Sequence, residues 1–87
     1  MEKVSREIVV KSAFGLHLRP VASLVRKLSS HDAQATVGYR GRETDARNML
    51  GLLALGAGRG TRVTVSAHGR DAQAALQAIE AVLTGPE

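Results

Sequence analysis

Phe14-Gly15-Leu16-His17-Leu18-Arg19-Pro20-Val21-Ala22 is the stretch on which the reading of this chain turns. Pro20 suits the first turn of a helix, where its missing N–H would have had no intrahelical partner anyway. Beyond it, Val21, Leu24, Val25 and Leu28 recur at the spacing of one buried helical face, which predicts a helix from about Leu18 to Ser30. Ser12 to Leu16 reads as the loop leading in, with Gly15 inside it. His17 and Arg19 therefore stand at the mouth of a helix, where unpaired backbone N–H groups and the positive end of the macrodipole converge. Such a place welcomes an anion and disfavours a protonated imidazole, the conditions under which a histidine accepts a phosphoryl group.

Working outward, Ser5 to Lys11 reads as a strand with Ile8 and Val10 on one face. Gln34 to Tyr39 is a second strand, turning at Arg40-Gly41 into a short third, Arg42 to Asp45. The charge on that outer strand defends its free edge. Asn48 can cap a short helix running to about Leu55, with Leu52 and Leu55 expected in the core. Gly56, Gly58 and Gly60 make a turn before a fourth strand, Thr61 to Ala67. These glycines precede a strand instead of opening a helix after one, so they do not read as a phosphate cradle. Asp71 is a suitable acid or cap for a last helix lined by Ala74, Ala75, Ala78, Ile79 and Val82, which Gly85-Pro86 stops. The order βαββαβα predicts an α+β fold, an antiparallel sheet with helices on one face.

Composition narrows the function. Eighty-seven residues make one domain, spanning 1–87, and 44% hydrophobic residues support a modest core. Cysteine is absent, which removes disulfides and thiolate metal sites. His31 and His68 fall in expected turns without ligand-spaced companions, so no metal is expected. No apolar run approaches the roughly 20 residues of a membrane span, and the first residues do not read as a secretion signal, so the expected location is the cytoplasm. The chain carries a net charge of +4. Its basic residues are dispersed, and aromatic residues for base stacking are nearly absent, so the charge is read as a preference for acidic partner surfaces.

The motif Gly15-Leu16-His17-x-Arg19-Pro20, the length of the chain, and a second block, Asn48-Met49-Leu50-Gly51-Leu52-Leu53-Ala54-Leu55-Gly56, together resemble the HPr family of phosphocarriers of the bacterial phosphotransferase system. The resemblance runs from Val4 to Glu87. It implies an open-faced β-sandwich, a four-stranded antiparallel sheet covered on one face by three helices. It implies reversible phosphorylation on Nδ1 of His17 by Enzyme I, itself charged from phosphoenolpyruvate with Mg²⁺, and transfer onward to a IIA domain. The chain would be a carrier and not an enzyme, with no cofactor of its own, and a monomer.

The same resemblance assigns Arg19 and the backbone N–H groups of Leu18 and Arg19 to the phosphoryl oxygens. It assigns Met49, Leu50 and Leu53 to the docking patch for Enzyme I and IIA domains, with Arg26 and Lys27 steering acidic partners. Asn48 stands where many members carry a regulatory serine; without a hydroxyl it cannot be phosphorylated by the kinase that acts there. Leu18 and Phe14 replace residues that are usually small or polar, and are expected to reshape the partner interface or to shield the phosphohistidine from water. Glu87 is a further residue that the fold could bring near the site. Two other readings stay open: a regulatory, nitrogen-branch-type relative whose phosphorylation state is sensed by its partners, and a small nucleic-acid-binding module. A domain that kept the fold and lost its partners is a third.

Overall fold

A computed structural model describes residues 3–85. Four strands, β1 (Lys3–Val9), β2 (Gln34–Tyr39), β3 (Arg42–Asp45) and β4 (Arg62–His68), form one antiparallel sheet in the order β1-β4-β2-β3. Helices α1 (Leu18–Leu28), α2 (Met49–Ala54) and α3 (Ala72–Leu83) lie against it. α3 packs on β1, β4 and β2 and beside α1, while α2 packs on α1 and β3.

The order follows from side-chain alternation. On the central strand β4, Val63, Val65 and Ala67 are buried under the helices, whereas Thr64 is exposed and Ser66 half-exposed. β2 repeats this with Ala35 and Val37 inside. β3 buries none of its four residues and presents Arg42, Glu43 and Asp45 at the sheet edge, where charge discourages pairing with another chain. The β2–β3 turn places Arg40 at φ +53° and Gly41 at φ +78°, the pair of left-handed residues that matches the twist of a two-residue hairpin.

The core lies between sheet and helices. It takes Val21, Leu24 and Leu28 from α1, Leu52 from α2, and Ala72, Ala75, Leu76, Ile79, Val82 and Leu83 from α3. Leu52 and Leu55 are both buried, as the sequence suggests. The α3 face is rotated from the expected one, with Ala74 exposed and Ala78 half-buried while Leu76 and Leu83 turn inward. The larger apolar side chains take the core positions, because they gain more from leaving water.

Element ends also shift. β1 begins and ends two residues before the expected Ser5–Lys11, yet Ile8 and Val10 share the buried face as predicted. β4 is displaced by one residue from Thr61–Ala67. α1 stops at Leu28 and not Ser30, because the hydroxyls of Ser29 and Ser30 bond back to the carbonyls of Arg26 and Lys27 and compete with further helix. α2 ends at Ala54, one residue before Leu55.

Candidate functional site

His17 owes its place to a loop fastened at three points. Leaving β1, the Lys11 amide donates to the Leu83 carbonyl at the end of α3, at 2.8 Å. Ser12 is fully buried beneath it. Gly15 donates to the Ser12 carbonyl at 3.0 Å, and Leu16 to the Ala57 carbonyl at 2.9 Å. Gly15 has φ +71°, and a Cβ there would lie 2.6 Å from both the Ala57 oxygen and the Gly58 Cα. Only glycine fits that conformation and that gap. The turn that carries Gly56, Gly58 and Gly60 is thus the platform on which the site loop rests. Leu16 and Pro20, both buried, hold the chain on either side of His17.

His17 is the residue immediately before α1, in the N-cap position. Its backbone is extended (φ −108°, ψ −176°), and its carbonyl accepts the first helical bond, from Val21 at 3.2 Å. Its side chain caps nothing. Nε2 is buried and has no hydrogen-bond partner among the described residues. Nδ1 is therefore the ring nitrogen left to the surface. The Phe14 ring and the imidazole meet edge-to-face, with centroids 5.7 Å apart and planes at 82°, although Phe14 itself is 81% exposed.

A shallow depression of about 800 Å³ opens here, lined by Ala13, Phe14, His17, Leu18, Arg19, Ala22 and Arg26. Leu18, Ala22 and Arg26 stand at i, i+4 and i+8, so one ridge of α1 leads from the histidine to Arg26. The structure thus gathers four of the sequence-derived candidates, His17, Leu18, Arg19 and Arg26, around one hollow. Lys27 is exposed in the last turn of α1 and does not line it. No α2 residue lines it either, although α2 packs on α1. Within α2, Leu50 is 78% exposed, whereas Met49 and Leu53 are half-buried against the core. The apolar patch on that helix is narrower than its sequence suggests.

Asn48 caps α2 as expected, its side-chain oxygen accepting the Gly51 amide at 3.0 Å. Among the described residues, no group of three His, Cys, Asp or Glu side chains could hold a metal ion, and no helix is long and apolar enough to cross a membrane. His31 is tied to the Lys27 carbonyl at 3.0 Å. Glu87 lies outside the described residues.

Sequence reasoning missed two side-chain roles. Arg47 reaches across from the loop before α2 and donates to the carbonyls of Ala33 (2.8 Å), Leu28 (2.9 Å) and His31 (2.9 Å), closing the C-terminal end of α1. Phe14, expected to reshape the partner interface or to shield the phosphohistidine, sets its ring edge-to-face against the unphosphorylated His17, a contact the sequence reading did not foresee. Arg47 carries no local signal, because its partners lie where the chain returns in space; the Phe14–His17 pair is local but depends on the conformation of the loop between them.

Comparison with known proteins identifies the family and the fold. Residues 4–84 match the family described as the phosphotransferase-system HPr component phosphorylation site. Phosphocarrier protein HPr of Xylella fastidiosa (strain 9a5c) is 34% identical over 76 residues, covering 87% of this chain and 85% of that protein. The crystal structure of a phosphocarrier protein HPr from Bacillus anthracis str. Ames superposes with a TM-score of 0.88 at 28% identity, covering 93% of this chain and 96% of the other. That of an HPr dimer from Thermoanaerobacter tengcongensis gives 0.67 at 34% identity, covering 91% and 88%. A loop-held histidine at the start of α1, within this sheet order and this sequence, places the chain in the HPr family, the phosphocarriers of the phosphotransferase system.

Proposed function

We propose that His17 takes a phosphoryl group from phospho-Enzyme I on Nδ1 and passes it to a IIA domain of the sugar phosphotransferase system. The observation that carries this is the asymmetry of the imidazole at the start of α1. Nε2 is buried and out of reach of a donor, which leaves Nδ1 as the nitrogen that can meet one. In the neutral ring with its proton on Nε2, the Nδ1 lone pair attacks phosphorus. The N–P bond forms as the bond from phosphorus to the donor breaks, and that electron pair leaves with the donor. The reverse step onto a IIA domain restores the same ring.

Transfer of this kind depends on alignment and on spreading the phosphoryl charge, so a small carrier with one nucleophile is sufficient. The charge would meet the Leu18 and Arg19 amides at the positive end of α1 and the Arg19 guanidinium on the rim of the hollow. Arg26 on the same rim, with Lys27, favours acidic partner surfaces. Exposed Leu18 and Leu50 offer apolar contact, with half-buried Met49 and Leu53 at its margin. The working unit is read as the single chain, monomeric and cytoplasmic, with no cofactor of its own. Asn48 leaves this carrier without the serine-based control.

The test is phosphorylation in vitro with Enzyme I, Mg²⁺ and ³²P-labelled phosphoenolpyruvate. The expected result is acid-labile, alkali-stable label on the wild-type chain and none on a folded His17→Ala variant. Label that persists in His17→Ala would overturn the assignment.

A further inference from the structure

We infer that Phe14 is a positioning residue for His17, its ring, set edge-to-face against the imidazole, holding it in the orientation that keeps Nε2 buried and Nδ1 outward. The inference rests on the reading of His17 as the phosphoryl acceptor. Turning an imidazole over exchanges its two nitrogens, and a nucleophilic histidine is ordinarily kept from doing so by a hydrogen bond from one nitrogen to a third group. Among the described residues the buried Nε2 of His17 has no such bond. Packing must therefore set which nitrogen faces out.

Phe14 is the aromatic ring against it. The separation of 5.7 Å and the interplanar angle of 82° fall within the edge-to-face geometry that aromatic pairs prefer. At 81% exposure Phe14 gains little from burial, so core stability does not account for it. The loop that carries it is held by the Gly15–Ala57 contact, so the ring is presented from a fixed base.

The experiment compares the full chain with Phe14→Leu, which keeps apolar bulk but removes the ring, and Phe14→Tyr, which keeps the ring. Proton NMR of the unphosphorylated proteins reads the ring-current shift of the His17 ring protons. Stopped-flow transfer from phospho-Enzyme I reads the saturating rate and KM separately. The expected result for Phe14→Leu is loss of the ring-current shift and a two- to tenfold lower saturating rate (roughly the strength of one aromatic pair), with KM and Tm nearly unchanged. Phe14→Tyr restores both. The positioning role is overturned by His17 ring protons that do not move in Phe14→Leu. It is also overturned by an unchanged saturating rate with a raised KM, which would make Phe14 a docking contact. Failure of the acceptor reading would show separately, as a wild-type chain that takes no phosphate, and the NMR shifts would still report whether Phe14 holds the ring.

Discussion

His17 stands at the N-terminal end of α1 with Nε2 buried and unpartnered, whereas His31, just past the other end, has Nδ1 bonded to the Lys27 carbonyl at 3.0 Å. The surroundings differ in the same sense. Around His31, Arg47 donates to three carbonyls, and the Asp71 carboxylate accepts the Asp32 amide at 2.7 Å. Around His17 the side chains are apolar or cationic, and two large hydrophobic residues, Phe14 and Leu18, are left in water at 81% and 61% exposure. Each end has its own hollow, but the one by His31 is lined by groups already engaged, Asp32 with Asp71 and Arg47 with the Ala33 and His31 carbonyls. One end of the helix spends its polar groups on holding the fold. The other leaves an imidazole whose Nε2 has no partner among the described residues, with apolar surface exposed around it.

The contrast makes a first prediction at the far end. Arg47→Met removes a guanidinium from three carbonyls in part-buried surroundings, and unpaired groups of that kind cost about 1–3 kcal/mol each, with overlap between neighbours. The expected loss is about 3 kcal/mol by urea denaturation, a large part of the stability of a domain this size. Phosphotransfer per folded molecule should be unchanged. A loss under about 1 kcal/mol, or a selective fall in transfer, would break the division between the two ends.

Gly15→Ala sharpens the comparison from the other side. Its methyl must enter a gap 2.6 Å from the Ala57 oxygen at φ +71°. A non-glycine residue held there costs about 1–3 kcal/mol. The site loop must lift from its platform to relieve the clash, and His17 moves with it. The expected result is a transfer rate reduced more than tenfold in a protein that still unfolds cooperatively, because misplacement of about 1 Å can cost a hundredfold. Transfer that declines only in step with the folded fraction would show that the platform serves stability alone.

These two residues also mark what the sequence made legible. The glycine before the histidine, the proline after it and the apolar spacing of Val21, Leu24 and Leu28 are local signals, and the site loop and α1 follow from them. The hairpin Gln34–Asp45 was readable for the same reason, since Arg40-Gly41 and the alternation around it lie within a dozen residues. The face of α3 was readable only in part, at Ala75, Ile79 and Val82, because a helix rich in alanine gives weak direction until Leu76 and Leu83 meet the sheet. The end of β1 was obscured because Val10 continues the alternation after the strand stops, its amide donating to the Thr61 carbonyl at 2.8 Å. Arg47 belongs to the same class, its contacts made by chain return with no periodicity to announce them, whereas the Phe14–His17 ring pair is local and depends on the path of the loop between them.

The smallest effect is expected at Asp71, which starts α3 without capping it and instead accepts the Asp32 amide. That hydrogen bond lowers the carboxyl below its ordinary value of 3.8; burial opposes the shift, while the charge and hydrogen bond of Arg70, and the charge of His31, add to it. The folded chain therefore holds this proton less readily than the unfolded one. The stabilisation from this carboxylate is fully present above about pH 4 and is lost as pH falls through the lowered folded value. Asp71→Asn keeps an acceptor for the Asp32 amide but removes the charge, so its deficit in urea titrations should be small at neutral pH and should vanish in strong acid. The site being exposed, salt should shrink it further. A deficit of equal size at pH 2 and pH 7 would mean that the carboxylate's charge contributes nothing, and that the far end is held by Arg47 and the amide bond alone.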